Sequence, residues 1–204
     1  MLLLTSCQGQ KKYYNEEKEV AEVKSDKLKS ILEHQKKMNA EYKDPEESPL
    51  PDKYRKNFDG LDFFTPDTNL VVTAKFVPAM HAEPFLMPTT TDRTPEYKLF
   101  GTAYFHLGGK EYSLEVYQNQ QLKLEAEYRD YLFLPFLDET NGKESYAGGR
   151  YIDLSIPDGN TIEIDFNKAY NPYCAYSKRF SCPIVPVVNT LNIPIKAGVK
   201  KFKK

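Results

Sequence analysis

Two stretches of the chain concentrate side chains that could do chemistry. Residues 165–183, DFNKAYNPYCAYSKRFSCP, hold Asp165, Asn167, Tyr170, Asn171, Cys174 and Cys182, and residues 138–151 hold Asp138, Thr140, Arg150 and Tyr151. A planar charge fork, carboxylates, amide donors and acceptors and aromatic walls are what recognition of a small polar ligand needs. Asp138, Thr140, Arg150, Tyr151, Asp165, Asn167, Tyr170 and Asn171 are therefore the candidate ligand-binding residues. The carboxylates Asp138 and Asp165, with Cys174, could instead hold a metal or act as general acid and base in a hydrolase. In a third reading the segment is a packed turn in a purely structural module. For Arg150 the commoner fate is an ion pair with Asp138, Asp153 or Asp165.

The cysteines narrow these readings. Cys174 and Cys182 are spaced C-x7-C, which is not the C-x2-C of a zinc knuckle, and no H-x3-H pair is available to complete a tetrahedral site. No metal ligand is assigned, and no cofactor motif is found. A cysteine nucleophile needs a neighbouring histidine, and none of the three in the chain lies near it in sequence. Outside the cytoplasm such a pair points to a disulfide. Closing a loop of about nine residues would stabilise the fold by about 2.6 kcal/mol before strain is subtracted. Residues 138–142, Asp-Glu-Thr-Asn-Gly, match neither the Asp-Thr-Gly of aspartic proteases nor the Asp-Lys-Thr-Gly of phosphorylated transport ATPases, and they read as a capped turn. Gly148-Gly149 lacks the spacing and the following helix of a phosphate loop.

The compartment is suggested by Leu4-Thr5-Ser6-Cys7, which fits the bacterial lipobox and makes Cys7 the candidate lipidation site. Only three leucines precede Thr5, against an apolar region of roughly 7–15 residues in a full signal. Residues 1–7 are therefore read as a truncated lipoprotein signal whose true start lies upstream. The expectation is a membrane-anchored lipoprotein of the cell envelope, on its periplasmic or surface side. Its partners would be the membrane, through the lipid on Cys7, and an unidentified small polar ligand. With 28 basic and 29 acidic residues the net charge is −1, so nothing draws the chain to nucleic acid.

These residues need a frame to position them. The 204 residues, 40% hydrophobic and 28% charged, suit a single domain with a tail. Residues 8–25 read as a charged tether, and residues 26–202 as the domain. Leu28, Ile31 and Leu32, continued by Met38 and Tyr42, predict an amphipathic helix over 26–43 with Ser25 as its N-cap, ended by Asp44-Pro45. His34 on that helix reads as an isolated boundary histidine. From about residue 55 the hydrophobic period changes to two, which marks a β body over 55–202.

Within it Leu70–Val77 predicts a strand, and Tyr97–Leu107 and Lys110–Tyr117 predict a hairpin about Gly108-Gly109, whose positive φ angles suit a type I′ turn. That register sets Phe105 against Tyr112, Ala103 against Leu114 and His106 against Glu111. Tyr131–Leu137, almost wholly apolar, predicts a central strand. Arg150–Ile156 and Thr161–Phe166 are expected to pair through the turn 157–160, with Ile156 facing Ile162, Leu154 facing Ile164 and Ile152 facing Phe166. That pairing sets Asp153 across from Asp165. Opposed carboxylates repel, so either both are exposed, where the high dielectric makes the cost small, or Arg150 or Lys168 lies between them, or they face a polar pocket that binds a cation or a basic group. The expected fold is mainly β: an antiparallel β-sandwich or partly closed barrel, with the helix packed on the sheet or over an open end.

Several of these pieces recur together. Ser48-Pro49-Leu50, residues 58–64 (FDGLDFF), the block FLDETNGKESYAGGRYIDL, the block IDFNKAYNPYCAYSKRFSCPIVPVVNTL and Ile195-Lys196-Ala197-Gly198 resemble the bacterial and archaeal family catalogued as domain of unknown function 1684. They follow its order over roughly residues 27–202. The resemblance implies no activity. It places Asp138, Thr140, Gly142, Tyr146, Gly149, Arg150, Tyr151, Asp165, Asn167, Tyr170, Asn171, Cys174 and Cys182 at family-motif positions. The chain departs from the pattern at CPIVPVVN, where members look more like Pro-Pro-x-Asn, and at AGVK, which replaces a more usual Ala-Gly-Glu-Lys.

Overall fold

The computed structural model describes residues 12–203, and side chains from residue 22 onward. The signal-like stretch and Cys7 lie outside the described residues. Helix α1 spans Lys12–Lys43 and a short α2 spans Asp52–Arg55. The β body comprises β1 (Val71–Pro78), β2 (Pro84–Leu86), β3 (Glu96–Leu107), β4 (Lys110–Asn119), β5 (Tyr131–Asp138), β6 (Arg150–Ser155), β7 (Thr161–Asp165) and β8 (Thr190–Leu191). These form a mainly antiparallel sheet curled into a half-barrel, in the order β6-β5-β4-β3-β1-β7, with β2 added on β3 and β8 parallel on β5. Among the described residues no helix is long and apolar enough to cross a membrane.

Helix α1 starts earlier than its apolar pattern predicts. It runs through Ser25, which is not a cap, because residues 12–25 contain neither glycine nor proline and nothing there interrupts helical propensity. The end at Lys43 is as expected. The buried stripe is Ile31, Met38 and Tyr42, while Leu28 and Leu32 remain 40% and 50% exposed. Met38 and Tyr42 pack on Leu50, Phe58, Leu61, Tyr176 and Val199 in the segments outside the strands, and this narrow contact leaves residues on the flanks of the apolar set in solvent.

The β3–β4 hairpin has the predicted register, from Leu107 opposite Lys110 to Gly101 opposite Val116, and Gly108 and Gly109 take φ of +56° and +77°. His106 and Glu111 stand 3.8 Å apart on an open face. The expected β6–β7 hairpin is absent. β6 pairs with β5, setting Asp153 opposite Phe133, and β7 pairs with β1, setting Asp165 opposite Val71. The two aspartates do not face one another. Period-two alternation fixes which face of a strand is apolar but not which strand lies beside it, and Ile152 and Leu154 match β5 as well as β7. The curl explains how a short connection can join strands at opposite ends of the sheet order.

Inside the curl, Leu132, Leu134 and Phe136 of β5 join Ile152, Ile164 and Phe166 in the main core. On the other face Phe133 and Tyr151 pack with Tyr97, Tyr117, Met87 and Val185. A third cluster, around Met38, Tyr42, Phe58 and Tyr176, ties α1 to the segment after β7.

Candidate ligand-binding cavity

Along β6 the side chains alternate, with Ile152 in the main core and Tyr151 in the cluster on the other face. Asp153 shares the face of Tyr151, and Tyr131 and Phe133 of β5 come beside it through the strand register. Chain reversal supplies the next wall. After β7, Tyr170 returns to β6 and exchanges both backbone hydrogen bonds with Tyr151, each 2.9 Å. Its hydroxyl then donates to Asp153 Oδ1 at 2.6 Å, and the Tyr131 hydroxyl donates to the same oxygen at 2.8 Å. Helix α1 completes the enclosure with His34, Lys37 and Glu41. The result is a cavity of about 440 Å³ between α1, the β5–β6 face and residues 170–183.

Its electrostatics centre on Asp153. Asp153 is exposed to solvent through the open cavity, while protein groups crowd the carboxylate from the strand side and enclose it there. That enclosure raises its pKa, against the lowering effect of the two tyrosine hydroxyls and of His34. Burial, then the nearby Asp153, pushes the Tyr131 hydroxyl up, and Tyr170 is likewise raised by burial first. His34 is lowered by burial and then by Lys168, with Asp165 and Asp153 opposing, and its Nε2 is buried without a partner. Lys37 pairs along the helix with Glu41 at 3.7 Å. Among the described residues, no lysine or arginine lies within 4.0 Å of Asp153.

Of the eight residues singled out by type, only Tyr151 and Tyr170 line this cavity. The Arg150 guanidinium donates to Asp138 Oδ2 at 2.7 Å and to the carbonyls of Ile195 and Ala197, with both charged side chains fully buried. Asp138 Oδ1 accepts from the Thr140 and Ile195 amides, and the Thr140 hydroxyl meets Ser145. Asp165 caps the turn Phe166–Lys168. Asn167 holds the backbone of Asp67 from both sides, and Asn171 donates to Lys200 O and the Tyr176 hydroxyl. The expected charge fork and amide groups are thus committed to the fold. Asp138 and Asp165 do not line the cavity, and the described residues contain no group of three His, Cys, Asp or Glu placed to hold a metal ion. The sequence places Asp153 only as the expected partner of Asp165, and neither its place in the cavity nor its partners Tyr131 and Tyr170 can be read there.

A family model described as "Protein of unknown function (DUF1684)" matches residues 56–200. The chain belongs to the DUF1684 family. A solution NMR structure of an uncharacterised protein from Haloarcula marismortui is similar to it, with 34% identity over 88% of this chain and 96% of that one, at a TM-score of 0.68. A search of curated proteins finds no match. In this DUF1684 chain the family match contains Tyr131, Tyr151, Asp153 and Tyr170, whereas His34, Lys37 and Glu41 precede it. The sheet side of the cavity thus lies within the family match and the helix side outside it.

Cys174 and Cys182 meet as free thiols in this DUF1684 fold, with the Cys174 N–H donating to Cys182 Sγ at 3.2 Å. The Cys182 thiol, as hydrogen-bond donor, holds Cys174 below the ordinary thiol range and is itself pushed up. Cys182 borders the cavity.

Asp153 also predicts a pH dependence. Its pKa is raised on folding, so between the unfolded value of about 3.9 and the folded value the native state binds more protons. Stability from this group is present below about pH 3.9 and is lost as pH rises through the folded pKa. The groups facing it are Tyr131, Tyr170, His34, Lys37 and Glu41. Asp153→Asn keeps an acceptor for the hydroxyls and removes the charge. Thermal melts should place this variant above the parent at pH 7, by a small margin because cavity water reaches the carboxylate. The margin should close toward pH 4, and a variant less stable than the parent at pH 7 would contradict the assignment.

Proposed function

We propose that the protein binds a small organic ligand in the cavity between α1 and the β5–β6 face. What carries the reading is a cavity of about 440 Å³, walled by aromatic rings around one convergent polar cluster, Asp153 with Tyr131 and Tyr170. Its size falls in the range of small-molecule sites, roughly 300–1,000 Å³, and mostly apolar walls with few placed polar groups are their usual chemistry. Holding the ligand would be the whole task of the domain, without covalent chemistry.

The Leu4-Thr5-Ser6-Cys7 stretch supports carrying this domain on a lipid anchor in the cell envelope. In that oxidising setting the contact of Cys174 with Cys182 supports a bridge that would fix one cavity wall. Incorporation of labelled palmitate, lost in Cys7→Ser, tests the anchor, and an unlabelled parent protein would count against it.

The cavity itself is tested by titrating mixed fragments, cationic, neutral and anionic, into isotope-labelled protein and following amide chemical shifts. Binders should perturb α1 near His34 together with β5 and β6 near Tyr131 and Asp153. Perturbations confined to other surfaces, or none at millimolar concentration, would remove the proposal.

A further inference from the structure

We infer that the ligand taken by this cavity is an organic cation, an amine or quaternary ammonium whose positive charge sits against Asp153. The inference rests on the cavity reading above and adds the ligand's charge. Both protein donors to Asp153 are neutral hydroxyls, and both bond Oδ1, while Oδ2 accepts no hydrogen bond from the described residues. Neutral donors satisfy lone pairs but leave the charge uncompensated, and because Asp153 is exposed within the cavity its free oxygen can meet a cation that enters there.

The remaining charges around the cavity do not supply the missing one. Lys37 and Glu41 compensate each other, and burial keeps His34 uncharged at neutral pH. The lining as a whole therefore carries one excess negative charge. Its rings add to the preference. Phe133 and Tyr151 meet at 4.7 Å and 75°, and Tyr151 and Tyr170 at 5.8 Å and 89°, so neighbouring walls stand nearly at right angles, as in a box. Ring faces are electron-rich, and enclosed aromatic surfaces favour cations, above all alkylated ammonium groups that cannot use many hydrogen bonds. An anion would meet repulsion from both the carboxylate and the rings. A bare metal ion would find one carboxylate and too few further ligands.

The test compares cations with neutral molecules of the same shape. Choline and 3,3-dimethylbutan-1-ol, and phenethylamine and 2-phenylethanol, are titrated into labelled protein at pH 7. At least one cation should bind ten-fold or more tighter than its neutral counterpart, with shifts at Tyr131, Asp153 and Tyr170. Asp153→Asn should weaken that cation at least ten-fold while leaving the neutral counterpart within about two-fold. Equal affinities within each pair, or undiminished cation binding by Asp153→Asn, would overturn the inference. If only neutral or acidic fragments perturb the cavity, the charge assignment fails while the cavity reading stands. If nothing perturbs it, both fail.

Discussion

The Arg150→Met variant is expected to lose about 3–5 kcal/mol of stability in urea unfolding, the usual cost of leaving one partner of a buried ion pair alone. Both side chains of the Arg150–Asp138 pair are fully buried, and Nη2 lies 2.7 Å from Oδ2. The same guanidinium satisfies the carbonyls of Ile195 and Ala197 and sits over the rings of Phe136 and Phe64, 5.2 and 5.7 Å from their centroids. It therefore joins the end of β5, the start of β6 and the C-terminal segment in one knot. Methionine keeps much of the packing but strands the Asp138 charge and two buried carbonyls.

Asp138→Asn should be severe for the converse reason, since burial already lowers the Arg150 pKa against the opposing pull of Asp138. The double variant should lose less than the sum of the two single losses, because the isolated charge is then gone. A single-variant loss below about 1 kcal/mol would mean that the pair is not dry, since exposed pairs contribute only that much. Ligand affinity of the folded fraction should be unchanged, because neither side chain borders the cavity. Loss of binding without loss of stability would restore Arg150 to a ligand-recognition role.

Asn189→Ala should cost about 3 kcal/mol or more. β4 and β5 are neighbours yet pair only at Tyr117 opposite Phe133. Part of the reason is Pro135, which has no N–H to give its neighbour. The fully buried Asn189 closes the gap with its side chain. Its Oδ1 accepts from the Glu115 amide at 2.8 Å, and its Nδ2 donates to Glu115 O at 2.8 Å and to Pro135 O at 2.7 Å. One side-chain amide thus stands in for a missing peptide of the ladder. Alanine would leave three backbone groups short of partners, at about 1–3 kcal/mol for each that water cannot reach.

Asn189→Asp should not rescue the site, because its oxygens would face two carbonyl oxygens. Urea unfolding gives the loss, and hydrogen exchange locates it. The Glu115 amide should lose protection well beyond the global change, and unaltered protection there would sink the assignment.

The elements that hold by local chemistry were legible in the sequence. The hairpin register, the two glycines at its turn, the His106–Glu111 contact and the end of α1 all follow from residues close in the chain, where turn geometry and alternation leave one solution. The start of α1 was not legible, because the apolar pattern marks where a helix touches the rest of the fold, not where the helix begins.

The residue types that suggested a site were a guide of another kind. Asp138, Arg150, Asn167 and Asn171 carry polar groups into the interior, and the structure uses them as fasteners for backbone that no strand partner satisfies. Composition could not separate fastening from recognition, because both require the same donors and acceptors.

By itself the sequence determined a mainly β domain behind one helix and the face each strand buries, with Asp153 on the face of β6 opposite Ile152 and Leu154. Only the tertiary structure decided that this carboxylate meets Tyr131 and Tyr170 rather than Asp165. The neighbour of β6 is chosen by the closure of the whole sheet, and Tyr170 arrives through a chain reversal held by two hydrogen bonds to Tyr151. Such long-range pairings depend on competition among all strands with matching apolar faces, which no local pattern of residues encodes.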